Sequence, residues 1–179
     1  HQAAISPDFL CVSKGLTGGT LPLSAVLTHE RIYAAFYDLY ETQKGFMHSH
    51  SYTGNPLACA AAVATLELLE DGSVLKRNAE LAQHLRAALV RFQDHPQVID
   101  VRQTGLIAAV ELGPQRAEKV GYPSHERRGL RVYTHALERG ALLRPLGNVV
   151  YFMPPYVIDE AQIDWLIDIA AEGIQRATA

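Results

Sequence analysis

The stretch whose reading decides the fold is FLCVSKGLTGG, Phe9–Gly19. A short apolar run ends at Ser13-Lys14, and a glycine-rich turn follows immediately. Phe9 to Val12 is too short for a helix and reads as a buried strand. Gly15, Gly18 and Gly19 can adopt positive φ and let other groups approach the backbone. Lys14 therefore stands where a strand stops, which is where ligands bind in open α/β sheets. For an arbitrary lysine a solvated turn is the ordinary reading. The strand end and the three glycines point instead to Lys14 as the chemical centre.

The bulk properties set limits around that stretch. The chain has 179 residues, 48% of them hydrophobic and 20% charged, so a packed core is expected and disorder is not. A net charge of −3 gives no electrostatic case for nucleic acid or an anionic membrane. No run of about 18 apolar residues exists, so no membrane span is expected. Cys11 and Cys59 lie in apolar stretches without metal-ligand spacing and read as buried small hydrophobes in a reducing, cytoplasmic setting. The eight histidines make no metal-binding pattern, and no metal is expected. The chain opens on His1-Gln2-Ala3-Ala4 and runs at once into a core strand, an abrupt start that suggests a piece of a longer protein.

Moving outward from Gly19, residues 21–27 read as a second strand in which Pro22 marks an edge or a strand start. Thr28 then caps a helix over residues 29–40, with Ile32, Ala35, Phe36 and Leu39 on one face. Residues 41–51 form a polar, aromatic loop. Asn55-Pro56 is a helix start, with Asn as the cap and Pro at the first helical position. The alanine-rich helix that follows runs to Asp71 and stops at Gly72. A further helix runs from Ser73 to about Gln93 with Leu75, Leu81, Leu85, Leu89 and Phe92 as its apolar stripe.

From Val98 the period changes. Residues 98–101 and 106–112 read as strands, then a helix spans residues 124–139. Residues 141–144 and 149–153 read as strands around the turn Pro145-Leu146-Gly147-Asn148. Asp159 and Gln162 form a capping box that opens the last helix, which runs to about Arg176. The second half is thus β-β-α-β-β-α, an α+β unit of its own. The first part holds two strands, too few for an independent sheet.

A lysine at a strand end among glycines suits covalent capture of a carbonyl. Burial of such a lysine disfavours its ammonium form and frees the amine as a nucleophile, and pyridoxal phosphate is the commonest electrophilic partner. Ser49, Ser51, Thr53 and the start of the Pro56 helix offer the donor types that a phosphate needs. Taken alone, that loop reads as an ordinary polar segment with a helix cap.

The motifs SKGLTGG with LPLSAVL, then HSHSYTGNPLACAAA, then RPLGNVVYFMPPY resemble the class III (ω-) aminotransferases, pyridoxal-phosphate enzymes of fold type I. RPLGN followed by YFMPPY resembles their biotin-pathway branch more narrowly. The resemblance covers essentially the whole chain but the C-terminal portion of the family's chain. It implies an α/β fold comprising the end of the large cofactor domain (residues 1–55), linking helices (56–95) and a small C-terminal α+β domain (96–179).

It also implies a set of roles. Lys14 matches the catalytic lysine that holds the cofactor and shuttles the proton. Ser51 matches a hydroxyl that binds the cofactor phosphate of a partner subunit, so a homodimer is implied. Ser49 stands at the edge of the cofactor and substrate. Arg144 matches the arginine that receives the substrate carboxylate, for which a bidentate fork is suited. Tyr151 matches an active-site tyrosine, although a plain sheet aromatic is an equal reading of that residue. The implied reaction is the conversion of 8-amino-7-oxononanoate to 7,8-diaminononanoate, with adenosylmethionine or lysine as amino donor. Another ω-amino acid or diamine aminotransferase is the alternative within the class. The family's phosphate loop, its ring-stacking aromatic and its pyridinium-pairing aspartate are expected upstream of His1. The 179-residue polypeptide alone is therefore expected to bind cofactor poorly, and a folding or dimerisation module is the reading from outside the class.

Overall fold

The computed structural model describes residues 4–179; His1, Gln2 and Ala3, on which part of the abrupt start rests, lie outside the described residues. The chain divides into two compact units with the boundary between Gly72 and Ser73. The two helices that the sequence groups as a linker thus belong one to each unit.

In the first unit, β1 (Phe9–Ser13) pairs antiparallel with β2 (Ser24–Thr28), with Phe9 opposite Thr28 and Ser13 opposite Ser24. The Thr28 hydroxyl donates to the Asp8 carbonyl at 2.8 Å, and Arg31 pairs with the Asp8 carboxylate, which closes the open end of the ribbon. The expected burial of β1 is not found. Phe9, Leu10, Val26 and Leu27 are each about half exposed or more, because no other described element covers either face of the ribbon. Cys11 is exposed for the same reason, and Cys59 lies on an uncovered face of the following helix.

The helix expected over residues 29–40 is also broken. His29, rather than Thr28, precedes a single turn, α1 (Glu30–Tyr33). A 3-10 turn over Ala34–Phe36 follows, and Tyr37 is extended. Phe36 and Leu39 are exposed. A helix of this length draws its stability from burying an apolar face, and here nothing receives that face. By contrast, α2 (Pro56–Glu70) starts as expected: the Asn55 side chain accepts from Leu57 N at 3.0 Å and Pro56 occupies the first helical position. Gly72 takes φ +72° just past its end. Ala58 and Ala62 are buried, and the helix packs on the turn after β1.

That turn, residues 14–17, is a 3-10 segment entered in an unexpected way. Gly18 and Gly19 take φ of +60° and +78° as glycine permits, but Gly15 does not; the first left-handed residue is Lys14 itself, at φ +49°.

The second unit opens with α3 (Ser73–Gln93), which buries Leu81, Leu85, Leu89 and Phe92 but leaves Leu75 exposed. β3 (Val98–Thr104) and β4 (Ile107–Leu112) form a hairpin whose two-residue turn is Gly105-Leu106. Gly105 takes φ +57°, as the primed hairpin turns require. The helix expected from Ser124 begins only at Arg128: a 3-10 turn over Ser124–Glu126 is cut off by Arg127 at φ +50°, and α4 (Arg128–Leu137) follows. The strand expected over residues 141–144 is not paired. Ala141 and Leu143 are buried and Leu142 and Arg144 exposed, so the alternation is present without a ladder. Pairing starts at β5 (Pro145–Leu146), which meets β6 (Val149–Phe152) across Gly147-Asn148.

The sheet order is β3-β4-β6-β5, all antiparallel. Ala108, Val110, Leu112, Val150 and Phe152 face a core completed by α3, α4 and the last helix, α5 (Glu160–Thr178). The opposite face carries Asp100, Arg102 and Glu111, joined by ion pairs of 2.6 and 2.8 Å on Arg102. The capping box of α5 is formed: Asp159 accepts from Gln162 N at 2.8 Å, and the Gln162 side chain accepts from Asp159 N at 3.2 Å.

Two expectations follow from this packing. Arg77 grips Glu160 with both nitrogens, at 2.7 and 2.8 Å, tying α3 to the first turn of α5. The guanidinium, then the helix's own amide, hold the Glu160 carboxyl down at about 2. A depressed carboxylate contributes stability above its ordinary range and loses it as pH falls toward 2. The urea midpoint of Glu160→Gln should therefore lie below wild type above pH 5 and converge with it near pH 2; a gap that is constant with pH contradicts the assignment. At Lys14, a left-handed backbone costs any residue with a Cβ about 1–2 kcal/mol. Lys14→Gly should unfold at higher urea than Lys14→Ala, and the reverse order would show that the turn is not strained.

Candidate active site

Each expected site residue can now be placed. Lys14 directly follows β1, and its side chain is exposed. The desolvation expected of it is not supplied by the described residues. Its position is nevertheless tightly determined. Thr17, three residues on, is buried at 1% exposure, and its hydroxyl donates to the Leu21 carbonyl at 2.6 Å. Gly19 N donates to the Lys14 carbonyl at 3.1 Å and Gly18 N to the Gly15 carbonyl at 3.0 Å. The Thr20 hydroxyl donates to the Thr17 carbonyl at 2.7 Å. The glycines of the turn are uncrowded: a Cβ added at Gly15 or Gly19 would meet nothing within 4 Å. At Gly18 it would touch Thr65 of α2, at 3.5 Å.

Ser49 and Ser51 lie in the first unit, in the exposed segment that leads into α2. Among the described residues no hydrogen bond joins either hydroxyl to the Lys14 turn. The segment orders itself locally. The His50 carbonyl accepts from Thr53 N at 2.9 Å, Thr53 Oγ1 accepts from His50 N at 3.0 Å, and His50 Nδ1 accepts from Tyr52 N at 3.2 Å. Ser51 is thereby held four residues before the cap of α2 with its hydroxyl free to donate.

Arg144 and Tyr151 lie in the second unit. Arg144 is exposed and immediately precedes β5, while Tyr151 is half-buried in β6 opposite Ala109. Pro145 pairs with Val150, so Arg144 and Tyr151 are the residues that flank the last pair of this ladder. The turn between these strands is anchored from two sides. Asn148 donates from its side chain to the Tyr122 carbonyl at 2.7 Å and accepts from Leu112 N at 3.0 Å. Beneath it, Gly129 of α4 leaves no room for a side chain: an added Cβ would sit 2.2 Å from the Gly147 carbonyl oxygen.

The supporting residues Thr17, Asn148 and Gly129 were not singled out by sequence reasoning. Thr17 carried a usable signal, since a threonine hydroxyl in a glycine-rich turn can bond nearby backbone. Gly129 carried none, because its constraint comes from a carbonyl eighteen positions away.

The donor set fits a pyridoxal-phosphate site in part. An exposed lysine on a left-handed turn, an unengaged serine hydroxyl and a helix N-terminus are among the groups that a phosphate-bearing aldehyde requires.

Comparison with known proteins bears on the family. The family model described as aminotransferase class III matches residues 1–174. The adenosylmethionine-8-amino-7-oxononanoate aminotransferase of Helicobacter pylori is 46% identical over 167 residues, covering 91% of this chain and 36% of the relative. Its namesake from Geobacter sulfurreducens is 42% identical, covering 99% and 39%. The crystal structure of the Methanocaldococcus jannaschii enzyme of that name superposes with a TM-score of 0.92 at 39% identity, covering 97% of this chain and 40% of that one. The chain thus spans well under half the length of these relatives. Sequence motif, local geometry and comparison agree: the chain belongs to the class III aminotransferase family.

Proposed function

We propose that the full-length protein is a pyridoxal-phosphate-dependent aminotransferase that converts 8-amino-7-oxononanoate to 7,8-diaminononanoate, with Lys14 as its catalytic lysine. The observation that carries this reading is the Lys14 turn, which holds one exposed lysine directly after a strand end among glycines. Seven relatives bearing the corresponding name, at 40–47% identity over 91–99% of the chain, support the substrate.

The cofactor, when bound, supplies a carbonyl for amine capture and a ring that accepts electrons. The rest falls to the chain's own residues. The Lys14 amine holds the cofactor and, once released, takes the proton from the carbon that bears the donor's amine. In the second half it delivers a proton to C7 of the keto acid. Ser51 donates to the phosphate, aided by the N-terminus of α2, in a site completed by a partner subunit. Ser49 borders cofactor and substrate. Arg144 receives the keto acid's carboxylate through two parallel N–H donors, and Tyr151 flanks it.

Adenosylmethionine or lysine is the amino donor. Among the described residues no helix is long and apolar enough to cross a membrane, and a cytoplasmic homodimer is the form we propose. An ω-aminotransferase of Caulobacter vibrioides, 32% identical over 94% of the chain, favours a second reading, a related ω-amino acid or diamine substrate.

In the full-length protein, Lys14→Ala should abolish the visible absorbance of bound cofactor and lower turnover at least about a hundredfold. Arg144→Lys should raise KM for the keto acid about tenfold or more, with kcat little changed, because the fork is lost. Steady-state assays with each donor and with ω-amino acids separate the two readings. An unchanged spectrum for Lys14→Ala overturns the proposal.

A further inference from the structure

Arg144 is held in place by its backbone. Its side chain is exposed, and among the described residues no hydrogen bond or ion pair engages its guanidinium. What fixes the root of this side chain is the strand that follows it. β5 is two residues long, lies at the edge of the sheet and pairs with β6 alone, through Pro145 with Val150 and Leu146 with Val149. That is shorter than strands usually are, so the ladder by itself is a weak anchor.

The contact that sets the depth of β5 comes from α4. Gly129, the second residue of α4, is buried. A Cβ at this position would sit 2.2 Å from the Gly147 carbonyl oxygen and 3.0 Å from Pro145 Cβ. The helix therefore approaches the first residue of β5 and the residue just past its end, and Pro145 is bonded directly to Arg144. A backbone carbonyl has no rotamer by which to swing aside, and a packed interior passes such a clash on. Alanine is the better helix former, so helix propensity gives no reason for a glycine here. The closeness of the approach does.

Asn148 holds the same turn by a second route. Its side-chain amide donates to the Tyr122 carbonyl at 2.7 Å. A Cβ at Gly121 would sit 2.8 Å from that amide nitrogen, so another glycine leaves room for the bond. The Arg128 guanidinium lies over the Tyr122 ring, 4.7 Å from its centroid, and Arg128 adjoins Gly129. The start of α4 thus reaches the turn directly through Gly129 and indirectly through Tyr122 and Asn148.

We propose that Gly129 is a positioning residue for the substrate carboxylate: its missing side chain lets β5 lie against α4 at the depth from which Arg144 reaches that carboxylate, and Asn148 keeps the turn there. This role rests on the reading of Arg144 as the carboxylate-binding residue. A Cβ at Gly129 pushes β5 outward and carries the guanidinium with it, which weakens substrate binding and leaves proton transfer alone.

The test is steady-state kinetics of the full-length protein on the keto acid and on its methyl ester, which has no carboxylate. Gly129→Ala should raise KM for the keto acid about tenfold, as loss of a two-pronged pair with a carboxylate does, with kcat within about twofold. KM for the ester should change by less than about twofold. In an Arg144→Ala background Gly129→Ala should raise KM no further, because two residues acting through one contact are not additive. Asn148→Ala should reproduce the pattern, and it decides the matter if Gly129→Ala does not fold. If Arg144→Lys raises KM but these variants leave it unchanged, raise it equally for acid and ester, or lower kcat alone, the role of Gly129 is overturned and that of Arg144 stands. An unchanged KM in Arg144→Lys overturns both.

Discussion

The account depends on a reversal of chain direction at one residue. β1 runs extended to Ser13, and Lys14 then turns left-handed before the chain enters a 3-10 segment. Such a conformation persists in a residue with a Cβ only where its surroundings over-determine it. Here they do so through the buried Thr17 hydroxyl, the Gly19 amide on the Lys14 carbonyl and the packing of α2 on the turn. The amine is aimed by the backbone, not by side-chain packing. That arrangement suits the role proposed for Lys14, since its side chain is exposed while its backbone is hydrogen-bonded.

The second unit solves a similar problem with different means. Arg144 lies outside regular structure, yet the two-residue strand next to it is locked between Asn148 above and Gly129 below. One face of the sheet is spent on the core with α3, α4 and α5, and the other remains open beside Tyr151. The Arg144 guanidinium is thus carried one residue before a strand that is held in place on both sides.

Much of this was legible in residues that force the backbone. Asn55-Pro56 and the pair Asp159 and Gln162 mark helix starts by local hydrogen bonding, and both formed as expected. The β-β-α-β-β-α order of the second unit followed from the change of period, because that unit has its own core. The misses share one cause. Apolar periodicity reports what a segment is able to bury against, not whether a cover is at hand. Phe9, Leu10, Cys11 and residues 29–40 have apolar patterns but no covering element among the described residues, so the ribbon is exposed and the helix is short. The positive φ expected of the glycines is found at Gly18 and Gly19 but not at Gly15, and Lys14 takes a further one that no glycine pattern announces.

Reductive trapping tests the central claim most directly. The full-length protein is incubated with pyridoxal phosphate, reduced with borohydride and mapped by peptide mass spectrometry. The account expects one stoichiometric modification, on Lys14. Modification on another lysine, or spread over several at similar levels, would contradict it.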